Sequence, residues 1–118
     1  MDPVGALAHL GELSSGVRAA VLLDGRGRAA AATRGGQALD VPDADGLGEL
    51  CDALLSAADD ARGGHAAQVE VRTVAGTVFA LRTRRWSIAV VAERDALASL
   101  MFYDLRSVLD RLAPRAAA

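Results

Sequence analysis

The apolar positions of this chain change period several times, and each change marks the boundary of an element. Val4, Leu7, Leu10 and Leu13 follow Pro3 at helical spacing, which predicts a first helix over Pro3 to Leu13. Proline is tolerated in the first turn, and Ser14-Ser15-Gly16 ends the pattern. Val17 to Asp24 is rich in β-formers and closes on Val21-Leu22-Leu23, as expected of a strand covered on both faces. Asp24-Gly25-Arg26-Gly27 supplies the residues that a tight hairpin turn demands, and a return strand is expected from Arg28 to Thr33. Four consecutive alanines there favour helix by propensity. The segment between the turn and Gly35-Gly36 is too short for a stable helix, so length decides for strand.

Gln37 to Asp45 reads as a polar loop containing Pro42, followed by a second helix from Asp45 to Arg62. Leu47, Leu50, Cys51, Leu54, Leu55, Ala58 and Ala61 share one face of it, over an arc of roughly 140° at ~100° per residue. Glu49, Asp52, Asp59 and Asp60 fall opposite, and Gly63-Gly64 supplies the stop. Val69 and Val71 then alternate with Gln68, Glu70 and Arg72 in a strand expected over Ala67 to Val74. Two further strands, Thr77 to Thr83 and Trp86 to Ala92, complete a meander whose turns are Ala75-Gly76 and Arg84-Arg85. Asp95 is placed to cap a last helix with Leu97, Met101, Leu105, Val108 and Leu112 on its face, flanked by Phe102 and Leu109. Pro114 would stop that helix, and the tail Ala116 to Ala118 would fray. The expected architecture is one α+β domain over residues 1–118, a five-stranded, mostly antiparallel sheet with three helices.

Composition narrows the function classes. The 118 residues suffice for one core, and 52% hydrophobic with 24% charged residues argue against disorder. A net charge of −2 provides no global field for nucleic acid or anionic lipid. The single cysteine, Cys51, cannot form an internal disulfide, and Met1-Asp2-Pro3 does not begin a signal peptide, so a cytoplasmic location is expected. No apolar run approaches the ~20 residues of a membrane-spanning helix, so no membrane insertion is expected.

No catalytic, cofactor or metal-binding set emerges. All basic residues are arginine, and the absence of lysine excludes a P-loop and Schiff-base chemistry. Cys51, His9 and His65 match no compact metal-site spacing. Asp59 and Asp60 are neighbours on a helix and point about 100° apart, which suits a solvated face better than a shared substrate. Gly25-Arg26-Gly27 leads into a strand instead of a helix, so the dinucleotide-binding reading fails on context. Arg26 at one hairpin tip and Arg84-Arg85 at another are candidate contacts to a partner, with an arginine-finger role as the sharper reading and plain solvation as the blander one. Trp86 reads as core or subunit packing with its indole N–H near a wet edge.

From about Leu7 to Leu112 the order of elements resembles the Roadblock/dynein-light-chain (LC7-like) family, of the bacterial small-GTPase-regulator type. Gly16-Val17-Arg18-Ala19-Ala20-Val21-Leu22-Leu23-Asp24 with Gly27 is similar to that family's first strand and hairpin. Asp45 to Arg62 is similar to its middle helix. Val69-Glu70-Val71, Thr77-Val78-Phe79-Ala80-Leu81 and Trp86 to Ala92 are similar to its last three strands. The sequence departs from the pattern at Ala98 and Ser99, where relatives commonly carry a glycine.

The resemblance implies strand order 2-1-5-4-3, with the middle helix on one face and the terminal helices on the other. It further implies a dimer, in which the third strand pairs with its counterpart and the middle helices meet across a two-fold axis. The sequence agrees physically, because a 140°-wide arc exceeds the ~100° stripe that one sheet requires, and an edge strand with alternating valines invites pairing. The expected interface is Leu50, Leu54, Ala58, Val69 and Val71. The implied function is a non-enzymatic regulator or scaffold, homodimeric or heterodimeric with a related domain, that binds a small Ras-like GTPase in a prokaryotic signalling or polarity system. The alternatives are a small-molecule sensing module, or an assembly platform with no GTPase partner.

Overall fold

In the computed structural model, which describes residues 1–64 and 67–112, the Asp2 carboxylate accepts a hydrogen bond of 2.7 Å from the backbone N–H of Gly5. That cap and Pro3 start α1, Pro3–Leu13, where the sequence placed it. β1 is Val17–Leu23, and β2, Ala29–Arg34, returns beside it in antiparallel register. The alanine run is therefore a strand, and Gly27 takes the positive φ of 79° that the turn requires.

The polar loop proves more structured than expected. Gln37–Ala38 forms β3, a two-residue strand paired with Thr33 and Arg34 of β2, after a turn in which Gly35 and Gly36 have positive φ. α2 begins four residues earlier than predicted and spans Val41–Arg62, with Asp40 as its N-cap and Pro42 in its first turn. Pro42 thus starts the helix instead of marking a loop, because a first-turn proline lacks only an N–H that had no partner there. Gly63, at φ 70°, closes it. The remaining elements are β4 Gln68–Arg72, β5 Thr77–Arg82, β6 Ser87–Ala92 and α3 Ala98–Leu112.

The sheet accordingly has six strands, in order β3-β2-β1-β6-β5-β4, where five were expected, and every pairing is antiparallel. Without β3 the order is the expected one, and β4 lies at an edge. The predicted Asp95 cap is also corrected: α3 starts at Ala98, where the Met101 N–H bonds the carbonyl of Leu97, and Leu97 is 68% exposed, not part of the core face. His65, Pro114 and the tail from Ala116 to Ala118 lie outside the described residues.

Alternation along the strands sorts the core into two layers. Ala20, Leu22, Phe79, Leu81, Ile88, Val90 and Ala92 pack against Ala6, Leu7 and Leu10 of α1 and Met101, Leu105, Val108, Leu109 and Leu112 of α3. Phe79 and Phe102 meet edge to face with centroids 5.4 Å apart. On the opposite face Val21, Leu23, Ala32, Ala80 and Ala89 pack against Ala44, Cys51 and Leu55 of α2. Trp86 sits one residue before β6 and packs against the α1/α3 layer. Its indole N–H is buried without a hydrogen-bond partner among the described residues, not placed at a wet edge.

Candidate functional site

α2 lies chiefly over β1 and β2 and covers the β6-β5-β4 half of the same face only in part, burying Ala89 and Ala80 but leaving Val91 and Val71 partly open. Gly48 sets its approach: a Cβ there would stand 3.0 Å from Cδ2 of Leu23 and 3.4 Å from Cβ of Ala29. The register shows what the partly covered half presents. Ala19 pairs with Val91, Val91 with Val78, and Val78 with Val71, a row of apolar side chains across β1, β6, β5 and β4. The neighbouring row is Val21, Ala89, Ala80 and Val69. The first row is the less covered, with Val91 36% and Val71 38% exposed.

Leu47, Leu50 and Leu54 of α2 form the wall beside this surface, and between wall and strands lies a recess of about 280 Å³. Its lining includes Ala19, Val78 and Val91 and is almost wholly apolar. Leu50 is 68% exposed. A leucine in water at the rim of an apolar recess forgoes about 2 kcal/mol of burial that a covering surface would recover.

Leu50 and Leu54, two of the residues expected at an interface, line the recess. Ala58, half-buried, follows them at helical spacing toward the end of α2. Val69 and Val71 lie on the same face of the sheet, at its β4 edge. Ala19, Val78 and Val91 were missed, because strands apolar on both faces read as buried throughout.

The other singled-out side chains fall elsewhere. Cys51 is buried, and desolvation, reinforced by Asp52 and opposed by Arg82, pushes its thiol up to about 11. A thiol so held is neutral and a poor nucleophile. Asp59 and Asp60 do not act as a pair, since Asp59 binds Arg82 of β5 at 2.6 Å. Among the described residues no three His, Cys, Asp or Glu side chains gather as a metal site would need. No helix among them is long and apolar enough to cross a membrane. Arg26, Arg84 and Arg85 come together at the opposite end of the sheet from Val91, around an open recess that Arg28 and Asp24 also line.

No family model and no curated protein matches the sequence. The fold has clear counterparts. A Roadblock/LC7 domain from Streptomyces avermitilis superposes over 100% of both chains with a TM-score of 0.82 at 23% identity. The gliding protein MglB from Thermus thermophilus gives a TM-score of 0.71 at 16% identity, over 94% of this chain and 85% of that one. MglB from Myxococcus xanthus gives 0.68 at 12% identity, over 93% and 90%. In fold, the chain is a Roadblock/LC7-like domain.

Proposed function

We propose that the chain is a non-enzymatic regulatory or assembly module that works as a symmetric dimer, and that its partner is a small Ras-like GTPase. The observation that carries the dimer is the half-covered α2 face, where Leu50 and Leu54 stand beside the row Ala19, Val91, Val78 and Val71. This row runs without a break to β4, whose outer edge pairs with no other strand among the described residues. A second copy related by a two-fold axis covers both features at once, since helix meets helix and edge meets edge. A recess with few polar groups offers little to orient a small ligand, which favours protein contact over metabolite sensing. A homodimer is the simplest assembly that meets these needs; a related domain presenting the same face would serve equally.

The GTPase reading is supported by the fold shared with MglB and by the resemblance in strand and helix order. Tagged protein is used to capture partners from the source lysate with and without a non-hydrolysable GTP analogue. Nucleotide-dependent enrichment of a small GTPase is the expected result. Enrichment of other proteins only would replace the GTPase reading with that of an assembly platform.

A further inference from the structure

β4 is hydrogen-bonded on one side only, and the bonds at its two ends show which groups face the open side. The carbonyl of Ala67 accepts from the N–H of Arg82 at 2.8 Å, and the N–H of Thr73 donates to the carbonyl of Gly76 at 2.9 Å. Backbone groups alternate sides along a strand, so Val69 and Val71 also turn theirs toward β5, while Gln68, Glu70 and Arg72 turn theirs outward. No other strand among the described residues meets that edge. Side chains alternate between the two faces of the sheet. Val69 and Val71 belong to the α2 face, and Gln68, Glu70 and Arg72 to the opposite one, where Gln68 accepts from Arg106 of α3 at 3.3 Å. Glu70 and Arg72 are exposed and form an ion pair along the strand.

Few registers join two copies of this edge. A two-fold axis that keeps one α2 face beside the other passes at a residue of β4, which then stands opposite itself. With the axis at Val69, Glu70 meets Gln68 of the second copy, and no acid is brought to Arg72. With the axis at Glu70, every outward residue pairs, but Glu70 stands against Glu70, and like charges directly opposite are destabilising. With the axis at Val71, Glu70 stands opposite Arg72 of the second copy, and by symmetry Arg72 stands opposite Glu70. The ladder is then slightly shorter. Backbone bonds on an exposed edge replace bonds to water and contribute little net, whereas an interface strongly rejects like charges. The same axis sets Val71, 38% exposed, against its own copy, so the row Ala19, Val91, Val78 and Val71 continues into the second sheet.

We infer that β4 pairs with β4 of a second copy about an axis at Val71, and that Glu70 and Arg72 are the residues that select a like strand. An acid and a base two positions apart, reversed by the two-fold, meet each other, so the pattern is complementary to itself. A strand with the same charge at both positions, or with the two exchanged, is turned away. The register rests on the symmetric dimer proposed above and adds to it the pair of side chains that sets it.

Cysteine substitutions in the full chain read the register directly, with Cys51→Ala removing the native thiol. Opposed residues of a non-hydrogen-bonded antiparallel pair have Cα atoms about 4.5 Å apart, within disulfide reach, whereas Cα atoms more than about 7 Å apart are not bridged. Under mild oxidation at low micromolar concentration, Val71→Cys is expected to form a covalent dimer at least about fivefold faster than Val69→Cys or Glu70→Cys. Charge reversal supplies a second readout. Glu70→Arg is expected to raise the dissociation constant of the dimer about fivefold or more, and adding Arg72→Glu to restore it. Mixed with wild type, the doubly reversed chain is expected to form fewer mixed dimers than the statistical share, because like charges then face each other; an axis at Glu70 predicts an excess. Fastest crosslinking at position 69 or 70, or an excess of mixed dimers, would overturn the register. A wild type that sediments as a dimer while all three cysteine variants fail to crosslink would overturn the strand pairing and leave the dimer standing. A monomeric wild type would overturn the dimer itself.

Discussion

Arg82 of β5 and Asp59 of α2 meet across the α2 face, with Nη2 2.6 Å from Oδ1 and side-chain exposures of only 18% and 29%. Two further ion pairs among the described residues, Arg18 with Glu93 and Arg72 with Glu70, are more open to water. The Arg82–Asp59 contact ties the C-terminal half of α2 to the centre of the β-meander. Arg82→Ala is expected to destabilise the fold by about 1–2 kcal/mol, because it removes a charge-assisted hydrogen bond from a partly buried carboxylate. Arg84→Ala, in an exposed turn, is expected to stay within about 0.5 kcal/mol. Urea denaturation of the two variants measures the contrast, and equal effects would deny the pair its role.

Gly76 closes the turn between β4 and β5 against the end of β6. A Cβ there would stand 2.7 Å from the backbone oxygen of Ala92, which has no flexible side chain to yield. Gly76→Val is expected to cost about 1–3 kcal/mol. Gly11 of α1 meets nothing within 4 Å, so Gly11→Ala is expected to raise stability, by up to about 1 kcal/mol. Thermal melts of both variants distinguish the two glycines.

Burial of Cys51 makes stability depend on alkaline pH. Its thiol rises from an ordinary 9.0 to about 11 in the fold, so the folded state keeps a proton that the unfolded state releases first. Its contribution is complete below about pH 9 and is lost as pH climbs through about 11. Between those values wild type is expected to lose stability more steeply than Cys51→Ala. Denaturant midpoints taken across that window provide the check, and identical slopes would contradict the assignment.

Much of this was legible in the sequence. Helical spacing placed α1, and it put Leu47, Cys51 and Leu55 on the face of α2 that meets the sheet. Alternation at Val69 and Val71 marked a strand, and the family resemblance put it at the sheet edge, where β4 lies. β3 was missed because two exposed residues, Gln37 and Ala38, carry no alternation to read. The start of α2 was misplaced because Pro42 breaks a helix interior but fits a first turn, and only the observed Asp40 cap tells which applies. Ala19, Val78 and Val91 escaped notice for a different reason: in central strands both faces are apolar, and only the seating of α2 decides which residues stay uncovered. The arginines were visible as turn residues, whereas their convergence required the β1–β6 register.

Leu54→Asp introduces a charge at a half-buried position beside Cys51 and Leu47, and is expected to weaken both fold and assembly by burying an unpaired carboxylate. Its melt should fall together with its association. Leu50→Asp should separate the two effects, because Leu50 is exposed in the single chain.

The central claim is that the α2 face joins two copies of this chain. Sedimentation at low micromolar concentration tests it with Leu50→Asp and Leu97→Asp, two leucines each 68% exposed but in different parts of the fold, one on α2 and one just before α3. Wild type and Leu97→Asp are expected to sediment with twice the mass of one chain, and Leu50→Asp as a folded monomer. A monomeric wild type, or a Leu50→Asp variant that keeps the dimeric mass, would contradict the account.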